Sequence, residues 1–228
     1  MESGTIKITT DCTGIYTYSA GSVTINGGSL EIISGSDGIY AYDAITISGG
    51  EVKIDSEEDG IYAYAGEFSV SGGEIKIHAE DDGIYAGEGN IVVSGGEIKV
   101  YTDYLGICAY YGDITVSGGD IEINSYDDGM CTNDGSITIN GGSLEIHSDY
   151  SDGLHAYYGV TIRGGIVNIT AYYYGISTYA DVTIGGDAVK IQALSQLIDT
   201  DDNDINIDES FLMYDEDGTL LEEYDDYL

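Results

Sequence analysis

The sequence predicts an all-β fold, a single-stranded right-handed parallel β-helix of about eight to nine coils, each with about 23 residues and three short strands. A Gly-Gly pair recurs at a nearly fixed interval, and a ladder of single glycines, usually preceded by Asp and followed by Ile, runs in phase ahead of it. A unit of this length cannot bury its own apolar face and must stack on copies of itself. The pairs begin at Gly27, Gly49, Gly72, Gly95, Gly118, Gly141, Gly164 and Gly185.

The repeat unit consists of strands rather than helices. Apolar residues alternate with other residues in 61–64, in 68–71 and again in 74–77, and glycines bound these runs. This period of two is typical of half-buried strands, and the absence of helical spacing excludes the helical repeat classes. Three such strands describe one turn of a parallel β-helix, for which crossover chirality favours the right-handed sense. We expect these side chains to point into the core: Ile61, Ala63, Phe68, Val70, Ile75 and Ile77.

The first and last coils are incomplete. Residues 5–8 match the third strand of a coil, so we expect the natural chain to continue upstream of Gly4. Residues 197–200 and 205–207 match a first and a second strand, but no glycine pair follows them. We assign residues 1–209 to the β-helix and residues 210–228 to a C-terminal cap of the same domain that covers the open end of the stack.

The charge of the chain is strongly negative, with 42 acidic against 6 basic residues and a formal net charge of −36. Nucleic acid is excluded as a direct partner, because phosphate binding needs Lys and Arg. No apolar window approaches the length of a membrane span. An acidic surface often serves solubility outside the cell and also suits divalent cations. We expect a monomer at an extracellular or cell-surface location.

Acidic residues crowd the corner that precedes the single glycines. Stacking places them in columns, where two charges about 4.8 Å apart repel by roughly 0.9 kcal/mol in water. Calcium takes six to eight oxygen ligands and would relieve this repulsion, whereas the alternative is that Asp simply caps a turn before Gly. Leu105 and Tyr174 interrupt the column, so we expect a few discrete calcium sites. The candidate ligands are Glu57, Glu58, Asp59, Glu80, Asp81, Asp82, Asp103, Asp127, Asp128 and Asp152.

Tyrosine is over-used, with 22 copies against two Phe and no Trp. On the outward side of the first strand it recurs in two columns that run from Tyr16 and from Tyr18. Exposed rings beside an acidic corner can stack on sugar rings, although aromatic ladders also stabilise stacked strands by themselves. The candidate sugar-binding residues are Tyr40, Tyr62, Tyr64, Tyr85 and Tyr110.

Two other outward columns offer weaker binding hypotheses. All five lysines share a column on the third strand with glutamates beside them, which favours a charge-compensated ladder over a cationic stripe for uronic acids. The second strand carries a threonine column, which resembles an ice-binding face but is interrupted at Val92.

Catalytic residues are not evident in the sequence. His78 and His147 share a column but lie three coils apart, and Arg163, the single arginine, falls on a different face from the acidic corner. Cys108 and Cys131 occupy the same column in consecutive coils, so a disulfide between them is sterically conceivable. We therefore predict no catalytic site, with a lyase acting on a uronate polymer as the enzymatic alternative.

The repeat resembles a known family in its period and in its two glycine ladders. Asp-Gly-Ile-Tyr-Ala-Tyr at 37–42 and Ile-Thr-Ile-Ser-Gly-Gly-Glu-Val-Lys-Ile at 45–54 are similar to repeats of the bacterial carbohydrate-binding β-helix proteins that are related in fold to pectate lyases. The resemblance covers residues 4 to about 207. It implies surface display on plant-fibre degraders, calcium at the helix corners, and binding of cellulose or of acidic sugars such as polygalacturonate.

The sequence therefore predicts a non-catalytic protein that binds an acidic plant polysaccharide or cellulose with the help of Ca²⁺. A chain with a net charge of −36 repels polygalacturonate unless calcium bridges carboxylates from both sides. The alternatives are a structural surface adhesin or spacer without sugar binding, and a pectate-lyase-like enzyme.

Overall fold

The computed structural model describes residues 4–186, 188–201, 203–207, 213–214 and 220–221. Within these residues the chain is all-β, with no helix, and its parallel sheets form a β-solenoid of about nine turns of about 23 residues. This confirms the predicted architecture. None of the described segments is a helix long and apolar enough to cross a membrane.

The strands follow one another in a regular order, a short strand and then one long or two short strands in each coil. In chain order they are β1 (Thr5–Thr10), β2 (Ile15–Tyr16), β3 (Val23–Ser34), β4 (Ile39–Ala41), β5 (Ile45–Ser56), β6 (Ile61–Ala63), β7 (Phe68–Ala79), β8 (Ile84–Ala86), β9 (Ile91–Thr102), β10 (Ile107–Ala109), β11 (Ile114–Ser125), β12 (Met130–Thr132), β13 (Ile137–Ile139), β14 (Ser143–Ser148), β15 (Leu154–Ala156), β16 (Val160–Ile162), β17 (Ile166–Ala171), β18 (Tyr174–Thr178), β19 (Val182–Ile184), β20 (Ala188–Ala193), β21 (Gln196–Asp199), β22 (Ile205–Ile207), β23 (Met213–Tyr214) and β24 (Leu220–Leu221).

Two parallel sheets run along the whole solenoid. The first strands of successive coils, from β2 to β21, form a sheet of nine strands, and the remaining strands up to β22 form a sheet of 13 strands. In β3, β5, β7, β9 and β11 the predicted second and third strands are one continuous 12-residue strand. Its pairing register shifts at the glycine pair, which marks the predicted corner. From residue 137 onward the two strands are separate, as predicted.

The core is built from columns of apolar side chains, in which each residue stacks on the equivalent residue of the next coil. Ile61 pairs with Ile84 and Phe68 with Ile91, so each column continues across coils. Burying one such side chain contributes roughly 1.5–3 kcal/mol. The inward register is confirmed, because all six predicted core residues are at most 1% exposed: Ile61, Ala63, Phe68, Val70, Ile75 and Ile77.

The two ends of the solenoid differ in how far the structure describes them. Strand β1 pairs in parallel with Ser29–Ser34, so it occupies the third-strand position that the sequence predicts. Strands β23 and β24 pair antiparallel. The other residues of the predicted cap, 210–228, lie outside the described residues, and the cap stays a prediction.

Candidate functional site

The acidic corner is the sharp turn between the third strand of one coil and the first strand of the next. At Gly60 an added Cβ would lie 2.3 Å from Ile77 Cγ2 and 2.6 Å from the Gly83 carbonyl oxygen, so only glycine fits this turn. The Gly60 amide donates to the Asp82 carbonyl at 2.8 Å. The tight turn therefore holds Asp59, which precedes Gly60, in register with Asp82 of the next coil.

These aspartates use a carboxylate oxygen to bind the backbone of the following coil. The Asp82 amide donates to Asp59 Oδ1 at 3.1 Å, and the Leu105 amide donates to Asp82 Oδ1 at 3.2 Å. The same bond joins the Asp152 amide to Asp128 Oδ1 at 3.1 Å. The turn-capping role that the sequence left open is therefore realised, and it consumes only one of the two oxygens of each carboxylate.

Three carboxylates converge at this corner. Oxygen atoms of Asp59, Asp81 and Asp82 all lie within 4.8 Å of one another, and this is the one such group of three or more metal-ligating side chains among the described residues. Burial, followed by the charge of Asp82, raises the pKa of Asp59 to about 8. Burial and the charge of Asp81 raise the pKa of Asp82 to about 7. Among the described residues, no basic side chain forms an ion pair with these three carboxylates, and an all-oxygen donor set of this kind fits calcium.

The other predicted metal ligands do not join this group, and Asp128 and Asp152 lie two and three coils beyond Asp82. Glu58 accepts a hydrogen bond from Ser36 Oγ at 2.6 Å. Asp152 Oδ2 lies 3.5 Å from His155 Nδ1. Burial raises the pKa of Asp128 to about 6. The exposed acids are Glu57, Glu58, Glu80 and Asp103, whereas Asp127, Asp128 and Asp152 are half-buried or buried.

The predicted sugar-binding tyrosines form one continuous row of touching rings. The Tyr40 and Tyr62 ring centroids are 5.1 Å apart, and those of Tyr62 and Tyr85 are also 5.1 Å apart. The ring centroids of Tyr64 and Tyr62 are 6.3 Å apart, and so are those of Tyr110 and Tyr85. The row extends further than predicted, and we call the whole set the tyrosine face: Tyr16, Tyr40, Tyr42, Tyr62, Tyr64, Tyr85 and Tyr110.

The rings of the tyrosine face remain accessible at one side. Tyr16 is 57% exposed, Tyr42 41% and Tyr64 38%, while the other four rings are half-buried. Burial and the neighbouring Tyr40 raise the pKa of Tyr62 to about 12, and burial likewise raises the pKa of Tyr85. The hydroxyls therefore stay protonated at neutral pH and can both donate and accept hydrogen bonds.

The tyrosine column of the first strand ends at a disulfide. Cys108 occupies the position next to Tyr85 in the register and is bonded to Cys131 of the following coil. Both cysteines are buried, with at most 2% exposure. The pairing, which the sequence left open, replaces the next two rings of the column and closes the tyrosine face at this end.

The basic residues are placed away from the tyrosine face. Lys7 pairs with Glu31 at 2.5 Å, Lys99 with Glu97 at 2.9 Å, and Lys53 with its neighbouring glutamate. Three of the five lysines in the predicted charge-compensated ladder are therefore paired with glutamate, while Lys76 lies over the Tyr101 ring.

One aromatic ladder was missed by the sequence reasoning. Tyr126 stacks on Tyr150 at 5.3 Å, and Tyr150 stacks on Tyr172 at 5.8 Å, with ring planes within 9° of parallel. All three rings are about half exposed, between 48% and 60%. They lie at the corner rather than on a strand, so the alternation of the strands did not point to them. The recurrence of Tyr at intervals of about one coil length in the sequence is the pattern that would have predicted this ladder.

Comparison with known proteins gives one match. A family model described as "Carbohydrate-binding domain-containing protein" matches residues 1–147 and again residues 105–212. No curated protein and no solved structure matches the chain.

Proposed function

Because the chain belongs to the family of carbohydrate-binding domain-containing proteins, we propose that it is a non-catalytic polysaccharide-binding protein of the cell surface or extracellular space. Its ligand is an acidic plant polysaccharide of the polygalacturonate type, or cellulose. The tyrosine face binds the sugar rings, and calcium at the acidic corner assists. The observation that carries the proposal is the continuous row of tyrosine rings in the coils that also hold Asp59, Asp81 and Asp82.

The chemistry of the two parts is complementary. Tyrosine rings pack on the apolar faces of sugar rings, and their protonated hydroxyls exchange hydrogen bonds with sugar hydroxyls. Asp59, Asp81 and Asp82 would hold a calcium ion, which supplies positive charge for a uronate carboxylate at a surface that otherwise repels it. These residues need only position ligand and cation, and no bond of the sugar has to break.

The arrangement of charges favours binding over catalysis. A lyase needs a base beside the sugar acid, but the described Lys residues stand in columns of the other sheet, and Arg163 directly follows β16 of that sheet. In the sheet of the first strands, the column of Tyr62 and Tyr85 continues with Cys108, Cys131, His155 and Ser177 instead. His155 is itself engaged with Asp152.

Binding of polygalacturonate and of cellulose, each measured with calcium and with chelator, tests the proposal. Replacing Tyr62 and Tyr85 with Ala should weaken binding by roughly 1–3 kcal/mol through lost aromatic contact. Replacing Thr46 and Thr115 on the second-strand face should leave binding unchanged.

Two outcomes would contradict the proposal. Retention of no polysaccharide under any condition would identify the chain as a structural spacer. Unsaturated product released from polygalacturonate in the presence of calcium would identify it as a lyase.

A further inference from the structure

The tyrosine face runs along the axis of the solenoid. The ring centroids of Tyr16, Tyr40, Tyr62 and Tyr85 follow one another at 4.9, 5.1 and 5.1 Å, which is close to the strand spacing of about 4.8 Å. One sugar ring of an extended chain advances by a similar length. A chain that lies along the axis therefore meets a tyrosine ring in each coil, whereas a chain that lies across the face leaves the tyrosines after one or two rings.

Both edges of the tyrosine face carry negative charge. The exposed Glu58 and Asp81 lie at the corner that precedes the first strands, and Glu67 and Glu88 follow these strands. A uronate chain on the rings would meet like charges from both sides unless a cation intervened. The hydroxyls of an uncharged sugar, by contrast, donate to carboxylates in favourable charge-assisted bonds.

The rings do not form a flat platform. The planes of Tyr40 and Tyr62 meet at 75°, and those of Tyr62 and Tyr85 meet at 88°. A crystalline polysaccharide surface needs coplanar rings, because many parallel chains must touch them at once. A single chain can follow rings that turn from coil to coil.

From these observations we propose that the tyrosine face binds one uncharged, unbranched glycan chain parallel to the solenoid axis, with one sugar ring at each coil from Tyr16 to Tyr110. The inference rests on the proposed function: an uncharged chain binds to the tyrosines without a cation, whereas a uronate chain on the same rings needs calcium at the acidic corner. The Cys108–Cys131 disulfide ends the site, because no tyrosine of the first column follows it in the next coil.

The test is the affinity of soluble, unbranched β-1,4-linked glucose oligosaccharides of increasing length, measured in chelator. Affinity should rise about threefold or more with each added sugar up to about five sugars and then level off. The variant Tyr16→Ala should leave the affinity for a chain of about three sugars unchanged and lower that for about five by threefold or more. Tyr16 is 57% exposed at the end of the row, so the core is retained.

The matched control is Tyr150→Ala, which removes an equally exposed ring from the ladder at the corner and should not change the affinity for any chain length. Affinity that is independent of length, or binding to crystalline cellulose without binding of soluble chains, overturns the axial single-chain site. Binding of uronate with calcium but of no neutral chain overturns this inference and leaves the proposed function standing. Failure to bind any polysaccharide overturns both.

Discussion

At the acidic corner, the surroundings of single aspartates disfavour the charged form of their carboxyl groups. Asp59 and Asp82 are held by backbone amides and lie beside Asp81, so burial and like charge together raise their pKa values to about 8 and about 7. The folded protein therefore binds more protons than the unfolded chain between pH 4 and pH 8. Its stability without calcium must fall as the pH rises through this window.

Removing this charge should stabilise the protein when no cation is present. Asn is isosteric with Asp and keeps an oxygen for the hydrogen bond, and Asn90 already accepts such a bond from the Asp113 amide at 2.9 Å. In chelator at pH 8 we expect Asp59→Asn and Asp82→Asn each to raise the melting temperature by roughly 2–6 °C, and to have little effect at pH 4. Thermal unfolding at the two pH values measures this.

The control is Asp103→Asn, which removes an exposed charge at the same corner one coil further on. Calcium should stabilise the wild-type protein and the control but not Asp59→Asn or Asp82→Asn. A lower melting temperature of the two buried variants at pH 8 would contradict the electrostatic account.

At the level of the coil, the two glycine ladders have different physical causes. The second glycine of each pair has a positive φ, such as 93° at Gly50 and at Gly73, which side chains rarely tolerate. Among the described residues, the single glycines Gly60 and Gly83 do not have positive φ angles. Their constraint is space, because the chain of the next coil passes directly against them.

The spatial constraint predicts that Gly83→Ala is strongly destabilising. Its Cβ would lie 2.2 Å from Val100 Cγ1 and 2.6 Å from the Gly106 carbonyl oxygen, and the oxygen belongs to the backbone and cannot turn away. We expect a loss of about 1–3 kcal/mol or more in the free energy of unfolding, measured by urea denaturation. Glu88→Ala on the exposed surface should change it by less than about 0.5 kcal/mol. Equal stabilities of the two variants would refute the packing argument.

The molecule as a whole is dominated by its net charge of −36. The few Lys–Glu pairs are exposed and contribute little, so repulsion among the remaining acids opposes the compact state. Raising the ionic strength from about 0.01 M to about 0.15 M shortens the screening length from about 30 Å to about 8 Å. The melting temperature in NaCl should therefore rise over this range.

A salt effect of this kind must be separated from specific calcium binding. Asp81→Asn should respond to NaCl as the wild type does, because it removes one charge of many, but it should lose most of the stabilisation by calcium. Thermal unfolding measured in NaCl and in CaCl2 separates general charge screening from specific calcium binding. A melting temperature that falls with NaCl would show that the ion pairs, and not the repulsion, dominate the surface.

Sequence alone determined the fold, the core register and the columns. Ile61, Phe68 and Ile75 could be placed inward because alternation and the glycine period are local and are repeated in each coil. The five candidate tyrosines followed from the same register, and the structure brings them into one row.

Only the tertiary structure decided which side chains of a column meet and how. Ten acids were candidates, but Asp59, Asp81 and Asp82 alone converge among the described residues, because side-chain torsions and the depth of each corner are set by neighbouring coils. The same dependence turned the rings of Tyr40 and Tyr62 nearly perpendicular and stacked Tyr126 on Tyr150. A repeat specifies where the backbone goes, whereas the direction of each exposed side chain depends on contacts one coil away.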